Sequence, residues 1–268
     1  MIKSRKIISI LICFCLCAGY AIFALADDSN STHKKSTIQP AERALAMLQV
    51  QNTFSKHAYY HAAGKHVEEV NDIWVSPDGE NADTIRWTNP MGVWEGYEDF
   101  YAFYCQTKED AKQDALDMIS SLYPEIENIP ENLGIGTEWA IHTQTTSIIE
   151  VAGDGKTAKG IWYSPGIANG AVIKEDGTIG ISGNWFMEKY AVDFVKEDGE
   201  WKLWHIQIFY DNAPETWGDS GEGFGMPNMP APTRENPDPY QAWSPTTLPR
   251  IQPRFPEPYF TFSETFSY

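Results

Sequence analysis

Past residue 26 this chain has one cysteine, Cys105; its other three, Cys13, Cys15 and Cys17, lie before that point. No disulfide can form within the part that follows. Its stability therefore rests on a hydrophobic core, for which about 240 residues are ample. Cys105 follows the aromatic run Phe100, Tyr101, Phe103, Tyr104 and reads as a packing residue rather than a nucleophile. Basic side chains are scarce as well: 20 Lys and Arg face 37 Asp and Glu, a net charge of -17. Such a surface repels phosphate backbones and anionic membranes, so no nucleic-acid partner is expected. A phosphate-cradling loop is missing, because Gly134 and Gly136 lack the strand and lysine that such a loop needs. So is the strand-turn-helix elbow of a serine nucleophile. Of His57, His61 and His66, only the first two share helical i, i+4 spacing, and no Glu directly follows His57. The sequence therefore predicts neither a metal ion nor any other cofactor.

What is present begins with a leader. Lys3, Arg5 and Lys6 precede an apolar run from Ile7 to Phe23, and Ala24-Leu25-Ala26 is followed by Asp27-Asp28. A charged start, an apolar middle and a small-x-small end predict a secretory signal peptide over residues 1–26. The chain is expected outside the cytoplasm, periplasmic or secreted. If uncut, the leader would anchor it, since the apolar run is nearly long enough to span a bilayer. Residues 27–39 are polar and read as a flexible tether.

Pro40 opens a helix that runs through Ala44, Leu45, Leu48 and Phe54 towards Tyr60; proline suits a first helical turn. Gly64 breaks it. Val67, Val70, Ile73 and Trp74 mark a second amphipathic helix, stopped by Ser76-Pro77-Asp78-Gly79. Thr84 to Thr88 reads as a short strand, Trp94-Glu95-Gly96 as a turn, and Tyr97 to about Tyr123 as helix in one or two pieces. Glu125 to Gly136 reads as a loop. From Gly136 to Asp211 the chain reads as a meander of four long strands. Its turns are Gly153-Asp154-Gly155-Lys156 and Glu197-Asp198-Gly199-Glu200, because Asp-Gly between β-branched and aromatic runs is a strong hairpin signal. Helices first and long strands after predict an α+β cone: a curved, mostly antiparallel sheet wrapped around N-terminal helices, with an internal pocket, over residues 40–211. Residues 212–268 hold eleven of the 17 prolines with aromatics interleaved. They predict an extended arm laid over this domain or a sister subunit, its last segment YFTFSETFSY suited to pairing as an edge strand.

Four stretches carry a family resemblance: the helix end HAYYHAAGKH, the turn and helix VWEGYEDFYAFY, the strand pair HTQTTSIIEVAGDGKTAKG, and DGEWKLWHI in the last strand. Together they resemble the SnoaL-like branch of the nuclear transport factor 2 superfamily, which includes dehydratases, a dehydrochlorinase and polyketide cyclases. The resemblance implies a cofactor-independent lyase or isomerase, and commonly a dimer formed through the open sheet face. It also implies that His142 is the general base. The family's partner Asp at the end of the first helix is missing, where Tyr59-Tyr60-His61-Ala62-Ala63 stands. A third family position falls near His205.

Residue chemistry is compatible with this. Removing a proton beside a carbonyl needs a base within reach and a donor for the developing oxyanion. His142 can be the base, and Tyr59, Tyr60 or His61 the donor or a partner in a Tyr–His or His–His pair. Adjacent Tyr59 and Tyr60 point in different directions on a helix, so only one is expected to face the pocket. Asp193 is the nearest strand carboxylate that can orient an imidazole. Trp94, Trp139 and Trp162 read as core and pocket wall. A histidine on a strand is by default a packing residue, and that remains the plain alternative for His142 and His205. The expected ligand is a small apolar carbonyl compound, either turned over or simply carried; an interaction module that pairs copies of the chain is the third reading.

Overall fold

The structure is a computed structural model that describes residues 37–129, 139–211, 215–218, 222–223, 229–237, 245–246 and 250–268. The expected signal peptide, most of the tether, much of the proline-rich stretch of the arm and the side chain of Trp139 lie outside the described residues.

Helix α1, Pro40–Ala62, starts on its proline and buries Ala46, Val50, Phe54 and His57, a stripe spaced four, four and three residues apart. It ends in a Schellman turn. Gly64 takes φ 63°, the Lys65 N–H reaches the Tyr60 carbonyl at 2.9 Å and the Gly64 N–H reaches that of His61 at 3.0 Å. This reversal lays α2, His66–Ile73, back along α1. The buried side of α2 is His66, Glu69, Val70 and Ile73. A third helical stretch comes in pieces: α3 at Tyr97–Tyr101, a π turn at Ala102–Gln106, and α4 at Thr107–Leu122. The Thr107 hydroxyl donates to the Ala102 carbonyl at 3.0 Å across the π turn. That extra residue per turn aims Tyr104 and Cys105 into the core.

Strands β1 (Arg86–Asn89) and β2 (Gly92–Glu95) form a hairpin. They are followed by β3 (Trp139–His142), β4 (Thr145–Val151), β5 (Thr157–Ile173), β6 (Ile179–Glu197), β7 (Glu200–Tyr210), β8 (Glu215–Gly218) and β9 (Glu222–Gly223). Among the described residues these make one open, mostly antiparallel sheet. Its path is β2-β1-β7-β6-β5-β3, with β4 and β9 also on β5 and β8 on β6. Only β1 and β7 run parallel. The Asp198-Gly199 turn takes φ 48° and 87°, as a two-residue hairpin requires. Two features differ from the expected meander. The run before Gly153 is two strands rather than one, broken at Thr143 and Gln144, and β4 itself shifts register between Thr145 and Ile148, with Thr146 at φ 53°. And β5 and β6 pair without a break from Thr157↔Val195 to Ile173↔Ile179, longer than the hairpin turns suggested.

Alternation along the strands sorts side chains onto two faces. Tyr190, Val192 and Phe194 of β6 join Trp162, Leu203 and Ile206 in the main core, packed on the helices. Ala191 points the other way, to Ile161, Phe209 and Tyr268, so part of the segment 250–268 lies on the sheet's second face. The final ten residues form no strand there; a short 3-10 turn, Phe262–Glu264, occupies their middle. Among the described residues no helix is long and apolar enough to cross a membrane.

Candidate active site

Between the helices and the sheet lies a cavity of about 360 Å³. Its wall is mainly aromatic and aliphatic: Trp87, Phe103, Tyr104, Phe186, Tyr190 and Ile208. Its polar groups are few and include His61, His142, Asn89, Asn184, Glu188 and Lys108. An apolar cleft with a few convergent polar groups is the usual form of a small-molecule site.

The histidines gather at one end. Four-residue spacing on α1 puts His57 and His61 on one face, their ring centres 5.4 Å apart. His142, at the end of β3, closes the group, 5.3 Å from the His57 ring and 4.9 Å from that of His61. Its position depends on Gly166, directly across the strand pair. A Cβ there would sit 2.8 Å from that of His142 and 2.5 Å from the Phe186 ring.

Two of the three imidazoles are tied on one side. His57 Nδ1 lies 2.8 Å from Glu69 Oε1, both side chains fully buried. Glu69 is held in turn by the Trp74 indole N–H at 3.0 Å and by the Tyr104 hydroxyl at 2.8 Å. His142 Nδ1 lies 3.0 Å from the Ser164 hydroxyl and 3.3 Å from Gln144 Nε2. Among the described residues, His57 Nε2, His61 Nδ1 and His142 Nε2 are buried with no hydrogen-bond partner, and so is the Trp87 indole N–H. Burial, with the charge of His57 beside it, pushes the His142 imidazole down to about 3. Burial and the neighbouring His142, His66 and His57 hold that of His61 well below the usual histidine range. These two rings are thus neutral at pH 7. Burial, reinforced by Glu69, raises the Tyr104 phenol well above its ordinary value, so it stays a donor.

Of the residues expected at the site, His142 and His61 line the cavity. Tyr60 turns away, its hydroxyl donating to Asp72 at 3.0 Å, and Tyr59 is 81% exposed; they stand one and two residues' rotation along α1 from His61. Trp94 is buried against Phe103, and its indole N–H reaches the Pro230 carbonyl. Trp162 packs on Phe54 in the core and donates to Gln51 at 2.8 Å. Asp193 does orient an imidazole, but that of His205, at 2.8 Å, and on the sheet's other face. A register shift between Asp193 and Phe194 against β7 sets His205 beside Asp193 while Leu203 stays in the helix-side core. There Asp193 also takes Lys159 at 2.6 Å and the Tyr268 backbone N–H at 2.9 Å. Lys159 lies under the rings of Phe262, Phe266 and Tyr268. Burial opposes the Asp193 charge, but the His205 hydrogen bond and Lys159 keep its carboxyl below the usual range.

A model of the SnoaL-like domain matches residues 42–207. The chain belongs to the SnoaL-like domain family. The matched span contains all three clustered histidines and Glu69. Solved structures similar to this SnoaL-like chain include the hexachlorocyclohexane dehydrochlorinase LinA-type3 from Novosphingobium barchaimii LL02. It is 14% identical, covers 66% of this chain and 94% of its own, and has a TM-score of 0.41. A type 2 enzyme of the same name is 15% identical over 71% of this chain and 99% of its own, with a TM-score of 0.42. An NTF2-like protein with a cystatin-like fold from Novosphingobium aromaticivorans is 12% identical over 62% and 81%, with a TM-score of 0.35. No curated protein matches the chain.

Sequence reasoning missed His57 as a member of the group, and it missed Glu69, Tyr104, Ser164 and Trp87. A signal for Glu69 was present. It occupies a core position in the α2 pattern, where His66, Val70 and Ile73 are its apolar-face companions, and a carboxylate is buried only when it is paired.

Proposed function

We propose that this SnoaL-like protein is a cofactor-independent lyase or isomerase of the dehydratase kind, acting on a small, largely apolar, carbonyl-bearing molecule. The observation that carries the reading is a neutral, anchored His142 on the wall of a mainly apolar cavity. With Nδ1 tied to Ser164, the free Nε2 is the atom able to take a proton from carbon. Burial that keeps the ring neutral also makes it a weak base in the empty cavity; negative charge developing on a bound substrate works against that. The unpartnered indole N–H of Trp87 is the donor available for a carbonyl oxygen. His61, beside His142, is placed to return or relay the proton.

The test is deuterium exchange at carbon next to the carbonyl, followed by NMR with chelator-treated protein and a panel of small cyclic and aromatic ketones. Exchange with the native chain that is lost in His142→Ala and reduced in Trp87→Phe is the expected result. Exchange with no panel member, or full exchange in His142→Ala, sinks the reading. A second reading, a non-catalytic carrier of such molecules, is favoured by one observation: the buried carboxylate serves His57, while His142 has only hydroxyl and amide partners. A compound extracted intact from the purified protein, with no exchange, would select it. Export and pairing of two copies belong to the same proposal. N-terminal sequencing of the exported chain and light scattering test them.

A further inference from the structure

We propose that His57, His61 and His142 together form a binding site for one divalent transition-metal ion of the zinc or cobalt(II) kind. One ring nitrogen from each residue lies within 4.8 Å of the other two. Imidazoles on a tetrahedral ion, each about 2.0–2.1 Å from it, stand roughly 3.4 Å apart. Small side-chain rotations close that difference.

Three observations point to an ion rather than to packing. The first is the unpaired nitrogens. Among the described residues His57 Nε2, His61 Nδ1 and His142 Nε2 are all buried and unpartnered, and a buried polar atom left so costs about 1–3 kcal/mol. One ion would satisfy all three together. The second is the outer support. A metal-bound histidine nearly always gives its other N–H to a carboxylate, hydroxyl or carbonyl. Glu69 does this for His57 and Ser164 for His142, and Tyr104 and Trp74 hold Glu69 in turn. A carboxylate this well fixed has no other evident task, since it does not line the cavity. The third is the surroundings. His61 and His142 border the cavity while His57 lies behind them at no exposure. Three protein ligands would then leave the ion's fourth position facing the cavity, the arrangement of a catalytic rather than a structural site.

The sequence alone concealed the site because its third ligand is not on the helix. His57 and His61 have the i, i+4 spacing of a metal pair, but the ligand that completes them comes from β3, not from His66. The proposal goes beyond the acid–base reading and competes with it for one atom. An ion on His142 takes the nitrogen that reading uses as base; water on the ion would become the base in its place, and the ion would polarise a bound carbonyl.

The experiment uses the full chain without a histidine tag, stripped with chelator and titrated with cobalt(II). One equivalent retained after desalting, with the visible absorption of a four-coordinate cobalt ion, is expected. His61→Ala and His142→Ala should each lower affinity at least 100-fold. Glu69→Gln, which keeps its shape and loses its charge, should lower it about 10–100-fold. Circular dichroism shows whether each variant is folded. Should the alanine variants unfold, the native cobalt form decides by NMR, through the strongly shifted ring N–H signals of its bound imidazoles. Absence of stoichiometric cobalt in the native chain overturns the proposal. So does uptake unchanged in folded His61→Ala and His142→Ala, or cobalt carrying fewer than three imidazoles. Ketone exchange by the stripped protein is scored separately: if exchange persists and no ion binds, the metal site fails alone; if cobalt binds and the stripped protein never exchanges, the acid–base reading fails alone.

Discussion

Lowering the pH from 7 to 5 should remove a large part of this protein's stability through its imidazoles. Burial, with like-charged neighbours, depresses the pKa of His61 well below its ordinary value, and those of His66 and His142 to about 3. The neighbours acting on them are His57, His66 and His142, with Lys108 and Lys112 from α4. In the unfolded chain each imidazole titrates near 6.5. Between about pH 6.5 and 3 the unfolded state therefore holds protons the folded state refuses, so stability falls as pH falls. From pH 7 to 5 His66 and His142 each remove about 2 kcal/mol, together about 4 kcal/mol, and His61 acts with the same sign. That approaches the lower end of the stability of an ordinary domain, about 5–15 kcal/mol. His205, also depressed by burial, acts with the same sign. Carboxylates held below their usual range, such as Asp72 and Asp193, act mostly below pH 5, so this window isolates the histidines.

The assay is urea unfolding of the metal-free chain, followed by tryptophan fluorescence at pH 7, 6 and 5. The midpoint should fall steeply while the slope with urea stays constant. His142→Gln should remove about 2 kcal/mol of the pH dependence. A change below about 1 kcal/mol between pH 7 and 5 would refute the reasoning, because it would mean that these rings reach water in the folded state.

Three further substitutions probe the packing around the two polar clusters. Asp193→Ala strips the partner from Lys159, which has no exposure, and leaves His205 and the Tyr268 N–H without their acceptor. A loss of about 3–5 kcal/mol in urea unfolding is expected, with the ketone exchange site untouched. Tyr104→Phe removes one of the hydrogen bonds to buried Glu69 and should cost about 1–3 kcal/mol; an unchanged midpoint would show that water replaces the hydroxyl. Gly166→Ala places a methyl 2.5 Å from the Phe186 ring and 2.8 Å from His142 Cβ. It should displace β3 and weaken cobalt binding, while far-ultraviolet circular dichroism stays native.

How much of this was legible depended on range. Features set by neighbouring residues read well. Pro40 started α1, Gly64 ended it, Asp198-Gly199 made its turn, and the helix after Tyr97 did come in pieces. The place of His142 on the cavity wall was legible because its strand motif is local. Features set by pairing between distant strands did not read. The break that divides β3 from β4 and the parallel contact of β1 with β7 have no local mark. The register shift beside Asp193 was the most consequential of these. A shift of one residue exchanges faces, so the polar pair Asp193 and His205, expected at the pocket, belongs to the side covered by Tyr268.

The carboxylate expected at the end of the first helix is a sharper case. The sequence has none there, and from that point a His–carboxylate pair looked lost. The structure supplies one from the next helix and gives it to a different histidine. Glu69 stands at the buried position of α2 and reaches His57, one turn before His61 on α1. What α1 and α2 share is the Schellman turn at Gly64, which folds one helix back on the other. The pair is thus a product of that reversal and not of any contiguous motif. It also changes the chemistry open to the site. A carboxylate on the imidazole nearest the cavity raises that ring's basicity and favours proton abstraction. A carboxylate on the ring behind it orients a free nitrogen towards two neutral imidazoles, which favours holding a cation among the three. Charge placed one helical turn deeper therefore separates the two readings of this pocket, and Glu69→Gln reports on them differently. It should weaken cobalt binding strongly and leave metal-free ketone exchange at His142 nearly intact.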